Sequence, residues 1–110
     1  MSSGEVCPSI PLPVIKDVND KEVQEAAKFA VEENNRIGGH CFIYKRVVNG
    51  LLYGMANIHI VIKEYILVIE VQKDDGIPWS YIAKVRFNVR PLNEMYLESF
   101  EDALKDFNRH

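Results

Sequence analysis

The sequence predicts an α+β fold in which one long helix is wrapped by a four- to five-stranded antiparallel sheet. The first observation is a single segment with helical periodicity, residues 19–39, that begins and ends at recognisable capping residues. The second is the change after Gly39 to β-prone, partly alternating segments separated by short turn-forming stretches. One helix followed by such a meander places the helix on one face of an antiparallel sheet.

The length of the chain and its amino-terminal composition define the expected domain. A chain of 110 residues with 47% hydrophobic and 26% charged residues is long enough for one modest core. We therefore expect a single domain over residues 1–110. Pro8, Pro11 and Pro13 exclude a helix at the start of the chain, so residues 1–11 are predicted to form an extended arm.

The helix is predicted from its caps and from one apolar face. Asn19 or Asp20 can cap its amino terminus, and the glycines at 38 and 39 end it. The residues predicted to share the buried face, with Val31 at its margin, are Val23, Ala26, Ala27, Ala30, Asn34 and Ile37. Phe29 falls outside this stripe and requires a cover that curves around the helix, as a wrapped sheet provides.

Four segments after the helix are rich in Ile, Val, Tyr and Phe and are predicted to be strands. They are HCFIYKRVV, NIHIVIKEYILVIEVQ, WSYIAKVRFNV and MYLESF. The tip of the first hairpin is left open between two turn-forming stretches, Asn49–Gly50 and residues 53–57. His59 alternates with isoleucines and is interpreted as a half-exposed strand residue.

The overall charge argues against some classes of partner. A formal charge of -3 at pH 7, with scattered basic residues, gives no electrostatic reason to expect nucleic acid or an anionic membrane. No apolar run reaches the roughly 20 residues that a membrane helix needs. The start of the chain lacks the apolar core of a signal peptide, so the expected location is cytoplasmic if the chain is complete and secreted if a leader was removed.

No residue pattern in the chain indicates catalysis, a metal or a cofactor. Cys7 and Cys41 lack metal-binding spacing, and free thiols are expected ahead of a disulfide. His40 and Cys41 are adjacent, and neighbours in a strand point to opposite faces, so they cannot form a nucleophilic pair. The stretch Asp74–Gly76 lacks the spaced ligands of a calcium loop and is interpreted as a turn. An enzyme is therefore not expected.

The helix resembles the signature of plant cystatins, which are inhibitors of papain-like cysteine proteases. In AAKFAVEENN, residues 26–35, the positions that match this signature are Ala27, Lys28, Phe29, Ala30, Val31, Glu33 and Asn35. VIKDVNDKEV, FIYKRVVNG and YIAKV are similar to other segments of that family, so the resemblance spans residues 12–100. It implies a cystatin-like fold in which the sheet wraps the helix.

The resemblance also implies a protease-binding wedge made of three parts. The first is the amino-terminal arm, where Ile10 and Pro11 replace the family's two glycines and Leu12 replaces its aromatic residue. The second is a hairpin loop, whose inferred residues are Tyr53, Gly54, Met55, Ala56 and Asn57. The third is the family's Pro-Trp pair, which becomes Pro91 and Leu92 in this chain.

The resemblance therefore predicts a cystatin-like inhibitor with a papain-like cysteine protease as its partner. All three wedge motifs are altered, so the inhibition is expected to be weak or restricted in target. The alternative is a cystatin-fold binding or structural protein without inhibitory activity, since a fold does not determine a function. Self-assembly as a homodimer or by strand exchange is a further alternative, suggested by the apolar segment YILVIEV.

The pair Pro78–Trp79 has the composition of the wedge's third part but lies in another turn of the chain. In a meander that turn lies at the opposite end of the sheet from residues 53–57 and 91–92. Trp79 is therefore excluded from the wedge and interpreted as a cover over the base of the core.

Overall fold

A computed structural model of the protein describes residues 14–15 and 17–103. The elements are β1 (Val14–Ile15), α1 (Lys21–Gly38), β2 (Ile43–Ala56), β3 (Val61–Gln72), β4 (Pro78–Arg90) and β5 (Glu94–Asp102). The helix packs on one face of an antiparallel sheet, so the predicted α+β fold is confirmed. The predicted arm, residues 1–11, lies outside the described residues, as does Leu12.

The strands follow one another across the sheet in the order β1-β2-β3-β4-β5, and every neighbouring pair is antiparallel. β1 is short and pairs with the middle of β2, where Val14 lies opposite Leu52. Consecutive pairing places the β2–β3 and β4–β5 connections at one end of the sheet. The β3–β4 connection lies at the other end.

The helix begins and ends at residues that the sequence predicts. Asp20 is the amino-terminal cap, and its side chain accepts a hydrogen bond from the backbone N–H of Glu22 at 2.8 Å. Gly39 follows the last helical residue with φ 71°, a left-handed conformation that glycine adopts without steric cost. In the described part of the chain, no helix is both long enough and apolar enough to cross a membrane.

The buried face of α1 consists of small and β-branched side chains. Its members are Val23, Ala26, Ala27, Ala30 and Val31. Val31, predicted at the margin, is only 2% exposed, whereas Ile37, predicted to be buried, is 65% exposed because it lies in the last turn, past the buried part of the helix. Phe29, which falls outside the predicted stripe, is half-buried and packs against the core.

The sheet contributes alternate residues to the core, as its pleat requires. The fully buried residues of β3 are Tyr65, Leu67, Ile69 and Val71. Val47 from β2 and Ala83 and Val85 from β4 complete the central part of the core. Residues between these positions point to the other side of the sheet, away from α1, which we call the outer face.

β2 continues through both stretches that the sequence offers as the tip of the first hairpin. Asn49 pairs with Val68 and Gly50 with Leu67, next to a register shift between Val47 and Asn49. A Cβ atom at position 50 would lie 3.0 Å from Cδ2 of Leu67, so glycine lets the strand approach a buried leucine closely. The interpretation of Asn49–Gly50 as a turn is therefore wrong, and this pair is an irregularity within a strand.

Asn35 joins the end of the helix to the chain that enters β2. Its Nδ2 donates to the carbonyl oxygen of Phe42 at 2.9 Å, and its Oδ1 accepts from the backbone N–H of Phe42 at 3.1 Å. Its own carbonyl accepts hydrogen bonds from the N–H groups of Gly39 and His40. Because one residue holds both segments, it sets the direction in which the chain leaves the helix.

Trp79 lies at the end of the sheet opposite to the β2–β3 connection, since it pairs with Val71 near the end of β3. Its indole Nε1 donates to Oδ1 of Asp102 at 2.9 Å, so this half-buried side chain ties β4 to the end of β5. The aromatic side chains that pack against the core at this end are Tyr81 and Phe100, rather than Trp79.

Candidate functional site

Two loops lie side by side at one end of the sheet, which we call the loop end. It comprises the β2–β3 loop, residues 57–60, and the β4–β5 loop, residues 91–93. The Cα atoms of Val61 and Arg90, which flank these loops on neighbouring strands, are partners in the β3–β4 register. The amino-terminal end of β1 faces the same end, because β1 runs antiparallel to β2.

Asn57 shapes the β2–β3 loop through three hydrogen bonds. Its backbone N–H donates to the carbonyl of Ile60, and its Oδ1 accepts from the N–H groups of His59 and Ile60, each at 2.8 Å. Such a pattern fixes a short loop without the burial of an apolar side chain. Ile58 is consequently 82% exposed, the most exposed large apolar side chain among the described residues.

The β4–β5 loop presents a second exposed apolar side chain. Leu92 is 54% exposed, and its backbone N–H donates to Oδ1 of Asn88 at 3.3 Å. Asn93 has φ 53°, a left-handed conformation that asparagine tolerates better than most residues. Pro91 and Leu92, the inferred third part of the wedge, thus lie in a loop at the same end of the sheet as the β2–β3 loop.

Residues 53–57, predicted as the first loop, mostly belong to β2. The residues that pair with β3 are Tyr53, Gly54, Met55 and Ala56, and Asn57 lies in the loop. Of the two stretches left open as the tip of the hairpin, this one therefore contributes only Asn57 to the loop. The strands stay paired as far as Ala56 and Val61, because the turn forms around the side chain of Asn57 and not around Gly54.

The loop residues that sequence reasoning missed are Ile58, His59 and Ile60. Their alternation of apolar and polar side chains is typical of a strand, and it predicts the wrong element here. His59 is exposed and lies in the loop, so its interpretation as a strand residue is wrong. The signal that could have found the loop is Asn57, since an asparagine side chain can bond to N–H groups two and three residues later.

Four exposed apolar side chains gather at the loop end, and we call them the apolar tip. They are Met55, Ile58, Ile60 and Leu92, with exposed fractions of 49%, 82%, 43% and 54%. Nine large hydrophobic side chains are exposed among the described residues, so nearly half of them lie at one end of the sheet. Scattered exposed apolar residues are ordinary, whereas a concentration of them marks an interaction surface.

An ion pair between the helix and β3 supports the sheet behind the loop end. Nζ of Lys63 donates to Oε1 of Glu22 at 2.7 Å, and the hydroxyl of Tyr65 donates to the same oxygen. Burial alone would raise the pKa of Glu22, but the hydrogen bonds from Lys63 and Tyr65 outweigh it, and the pKa is lowered. This carboxylate therefore stabilises the fold at neutral pH, and its contribution is lost as the pH falls through its lowered pKa.

On the outer face, one arginine lies between two carboxylates. Nε of Arg86 is 3.4 Å from Oε1 of Glu64 and 3.1 Å from Oε2 of Glu98. Burial, together with the hydrogen bond and charge of Glu98, raises the pKa of Glu64 to about 7 against the opposing effect of Arg86. The folded state thus prefers protonated Glu64, and this contribution to stability is lost as the pH rises through about 7.

Glu64→Gln is expected to stabilise the protein at pH 8 and to leave its stability nearly unchanged at pH 5. The amide imitates the protonated carboxyl that the folded state prefers, so the advantage grows as the pH rises from the ordinary glutamate pKa of 4.5 to about 7. We expect a gain of about 1 kcal/mol at pH 8, after allowance for solvent screening at a partly exposed site. Urea unfolding at the two pH values measures it.

Glu33→Gln is the matched control for this measurement. The hydrogen bond from Arg36 lowers the pKa of Glu33, so Glu33 stays ionised between pH 5 and pH 8. Its substitution should change the free energy of unfolding by the same amount at pH 5 and at pH 8. A Glu64→Gln effect of equal size at pH 5 and pH 8 would contradict the raised pKa of Glu64.

The other candidates for chemistry do not assemble into a reactive group in the described part of the chain. Cys41 is exposed and free, and Cys7 lies outside the described residues. His40 stacks on Phe42, with ring centroids 4.6 Å apart, and its Nδ1 lies 3.9 Å from Oδ2 of Asp74. Within residues 14–15 and 17–103, no group of three or more His, Cys, Asp or Glu side chains could hold a metal ion.

Comparison with known families gives one match. A family model described as SQAPI, aspartic acid proteinase inhibitor, matches residues 15–103, which include the helix, the four long strands and both loops of the loop end. A search of curated proteins found no match. The family match overturns the resemblance to plant cystatins, and with it the expected inhibition of a papain-like cysteine protease. The matched family is directed at aspartic proteinases.

The helix motif led to the wrong class of target protease because its residues stabilise the fold. Phe29 and Val31 pack in or against the core, and Asn35 fastens the helix to the entry of β2. Binding residues lie disproportionately on exposed loops, which can change while the scaffold stays the same. The motif therefore indicated the architecture and carried no information about the class of target.

Proposed function

We propose, from the premise that the chain belongs to the SQAPI family of aspartic acid proteinase inhibitors, that this protein inhibits an aspartic proteinase and is not itself an enzyme. Within the molecule, the observation that supports this proposal most directly is the apolar tip. It is a narrow, exposed, apolar end of the sheet, carried by two neighbouring loops.

The apolar tip has the chemistry that a protease cleft can bind. Binding clefts are concave and are lined mostly by apolar side chains, with a few polar groups that fix orientation. Ile58 and Leu92 project from separate loops and can enter such a cleft together. Full burial of each side chain is worth about 1.5–3 kcal/mol, so two such anchors supply a substantial part of the affinity of an inhibitor.

The loops are also held in shape before any partner binds. The side chain of Asn57 fixes the β2–β3 loop, and Asn88 holds the backbone of Leu92. Each loop is attached to one of the neighbouring strands β3 and β4, whose pairing extends as far as Val61 and Arg90. A preformed loop loses little conformational freedom on binding, so more of the contact energy appears as affinity.

The proposed contact surface combines predicted residues with newly found ones. Its members are Met55, Asn57, Ile58, Ile60, Pro91 and Leu92. Met55 is kept because its large apolar side chain is 49% exposed at the end of β2. We leave out Gly54 and Ala56, which carry no large side chain, and Tyr53, which pairs with Glu64 farther from the loops. The arm residues 10–12 stay a prediction, since they lie outside the described residues.

A titration against two classes of protease tests the proposal. With pepsin at about pH 4, where its carboxyl dyad holds one proton, we expect nanomolar to low micromolar protein to block hydrolysis of a fluorogenic peptide. A cathepsin D-like enzyme should respond in the same way. Papain, assayed at its own working pH, should keep its full activity in the presence of tens of micromolar protein.

Two outcomes would contradict this function. One is inhibition of papain without inhibition of either aspartic proteinase. The other is unimpaired activity of both aspartic proteinases at tens of micromolar protein. Mass spectrometry of the recovered chain distinguishes an inhibitor, which stays intact, from a substrate that only competes with the peptide while it is cleaved.

A further inference from the structure

The outer face of the sheet carries residues in ordered rows, because neighbouring strands are in register across it. In one row Tyr53 pairs with Glu64, Glu64 with Arg86, and Arg86 with Tyr96. The row thus has a tyrosine at each end and opposite charges on its two central strands.

Further along the same face three of the four residues on the central strands are apolar, and the exception is Lys84 on β4, which pairs with Ile66 on β3. Val68 on β3 pairs with Ile82 on β4, and Leu51 on β2 pairs with Ile66 on β3. Burial alternates along β3, so these side chains point away from the helix, and no described element packs over them. Tyr96, on the same face of β5, is 41% exposed.

We propose that the outer face binds a second copy of this chain, with the two sheets packed face to face around a twofold axis that runs parallel to the strands between β3 and β4. In this arrangement β3 of one copy faces β4 of the other, and β2 faces β5. Each row of residues therefore faces the same row of the second copy in reversed order.

The charges of the first row select this axis. Reversal places Glu64 of one copy opposite Arg86 of the second copy, twice by symmetry, and Tyr53 opposite Tyr96. A twofold axis along the row would instead place each central charge opposite its own copy, and like charges across an interface are strongly unfavourable. With the proposed axis, Val68 faces Ile82 of the second copy, so apolar contacts accompany the ion pairs.

The size of the face predicts a weak dimer. Four strands about 4.8 Å apart and about eight residues that each rise 3.3 Å span roughly 19 by 26 Å. The interface then buries roughly 500 Å² per copy, or about 1,000 Å² in total, which is the lower limit for a specific interface. We therefore expect a dissociation constant of about 10–100 µM.

The dimer leaves the proposed inhibitory loops accessible. The axis runs along the strands, so the loop ends of both copies lie at the same end of the dimer. Ile58 and Leu92 are loop residues and not members of the paired rows, whereas Met55 pairs with Ile62 at the edge of the outer face next to the loops. This inference thus goes beyond the proposed function and does not depend on it.

Sedimentation analysis of the full chain at pH 8, from about 1 to 500 µM, tests the proposal with complementary variants. Val68→Asp and Ile82→Lys should each raise the dissociation constant at least tenfold, because each places an unpaired charge against an apolar residue. An equimolar mixture of the two variants should have a dissociation constant within about threefold of the wild-type value. In the mixed dimer the introduced aspartate of one copy faces the introduced lysine of the other. Ile37→Asp, on the helix, is the control and should dimerise like the wild type.

Circular dichroism tests whether each variant is folded. If Val68→Asp or Ile82→Lys does not fold, Arg86→Glu replaces it in the experiment. Arg86 is exposed, and a glutamate there faces Glu64 of the second copy, so dimerisation should weaken at least tenfold. The proposal is overturned if the wild type stays monomeric at 500 µM, if the folded variants dimerise as it does, or if the mixture associates no better than the single variants. A face covered by residues 1–13 or 104–110 of its own chain would give the first of these results.

Discussion

Ile58→Asn should weaken the inhibition of pepsin roughly 30- to 700-fold, because an apolar anchor at the centre of an interface is often worth about 2–4 kcal/mol. Ile58 is the most exposed apolar side chain of the tip, and asparagine has a similar reach but is polar. Asparagine also carries no charge at the pH of the assay, whereas an aspartate would be half-protonated near pH 4. Inhibition constants from enzyme titrations measure the effect.

Each variant of the tip has a matched control elsewhere on the surface. Ile37 on the helix is 65% exposed, and Ile77 at the opposite end of the sheet is 52% exposed, close to the 54% of Leu92. Ile37→Asn and Ile77→Asn should inhibit like the wild type, while Leu92→Asn should lose affinity as Ile58→Asn does. Equal inhibition by all four variants would show that the apolar tip is not the contact surface, even if inhibition of pepsin itself is established.

Leu67→Ala should lower the free energy of unfolding by about 3–4 kcal/mol, because it leaves a cavity in the centre of the core. Leu67 is fully buried and lies against the backbone of β2 at Gly50, so the surrounding structure has little freedom to close the gap. In a domain of this size the melting temperature should fall by more than about 10 °C. Urea unfolding and calorimetry measure both quantities.

Ile66→Ala is the natural control, since Ile66 is the next residue of the same strand and lies on the outer face. Ile66→Ala should lower the free energy of unfolding by only about 1 kcal/mol when it is measured at a few micromolar protein, where the proposed dimer is dissociated. A loss for Ile66→Ala as large as the loss for Leu67→Ala would contradict the assignment of the two faces of the sheet.

Two carboxylates close to the loop end act in opposite directions as the pH falls. Glu22 has a lowered pKa, and its stabilising contribution disappears in acid, whereas Glu64 has a pKa of about 7 and favours the fold on the acidic side. An inhibitor of a protease that works in acid has to stay folded there. Protonation of Glu64 therefore offsets part of the loss of stability at Glu22.

The helix could be predicted in detail because the interactions that define it are local. Asp20 bonds to a neighbour two residues away, and Gly39 bonds back to the preceding turn. The alternation of β3 similarly reports which residues are buried. Ile37 is the exception, since whether the last turn of a helix is covered depends on the extent of the sheet.

The tip of the first hairpin could not be predicted in the same way. Asn49–Gly50 is a strong local turn signal, but cross-strand pairing and the approach to Leu67 stabilise a continuous strand there. Ile58 and Ile60 look like strand residues, and the side chain of Asn57 turns the chain before them. Non-local pairing exceeded local preference at Asn49–Gly50, whereas at Asn57 a local side-chain turn exceeded the strand-like alternation of the residues after it.

The sequence by itself determined the fold class, the bounds of the helix and most of the core, because short-range capping and the period of apolar residues encode them. Only the tertiary structure decided which apolar side chains meet at one exposed end, because Met55, Ile58, Ile60 and Leu92 come from two loops and a strand that are distant in sequence. The same holds for the outer face, where Tyr53, Glu64, Arg86 and Tyr96 form one row through strand register alone. The period of apolar residues indicates which side chains are buried, whereas the register of the sheet determines which residues become neighbours on one face.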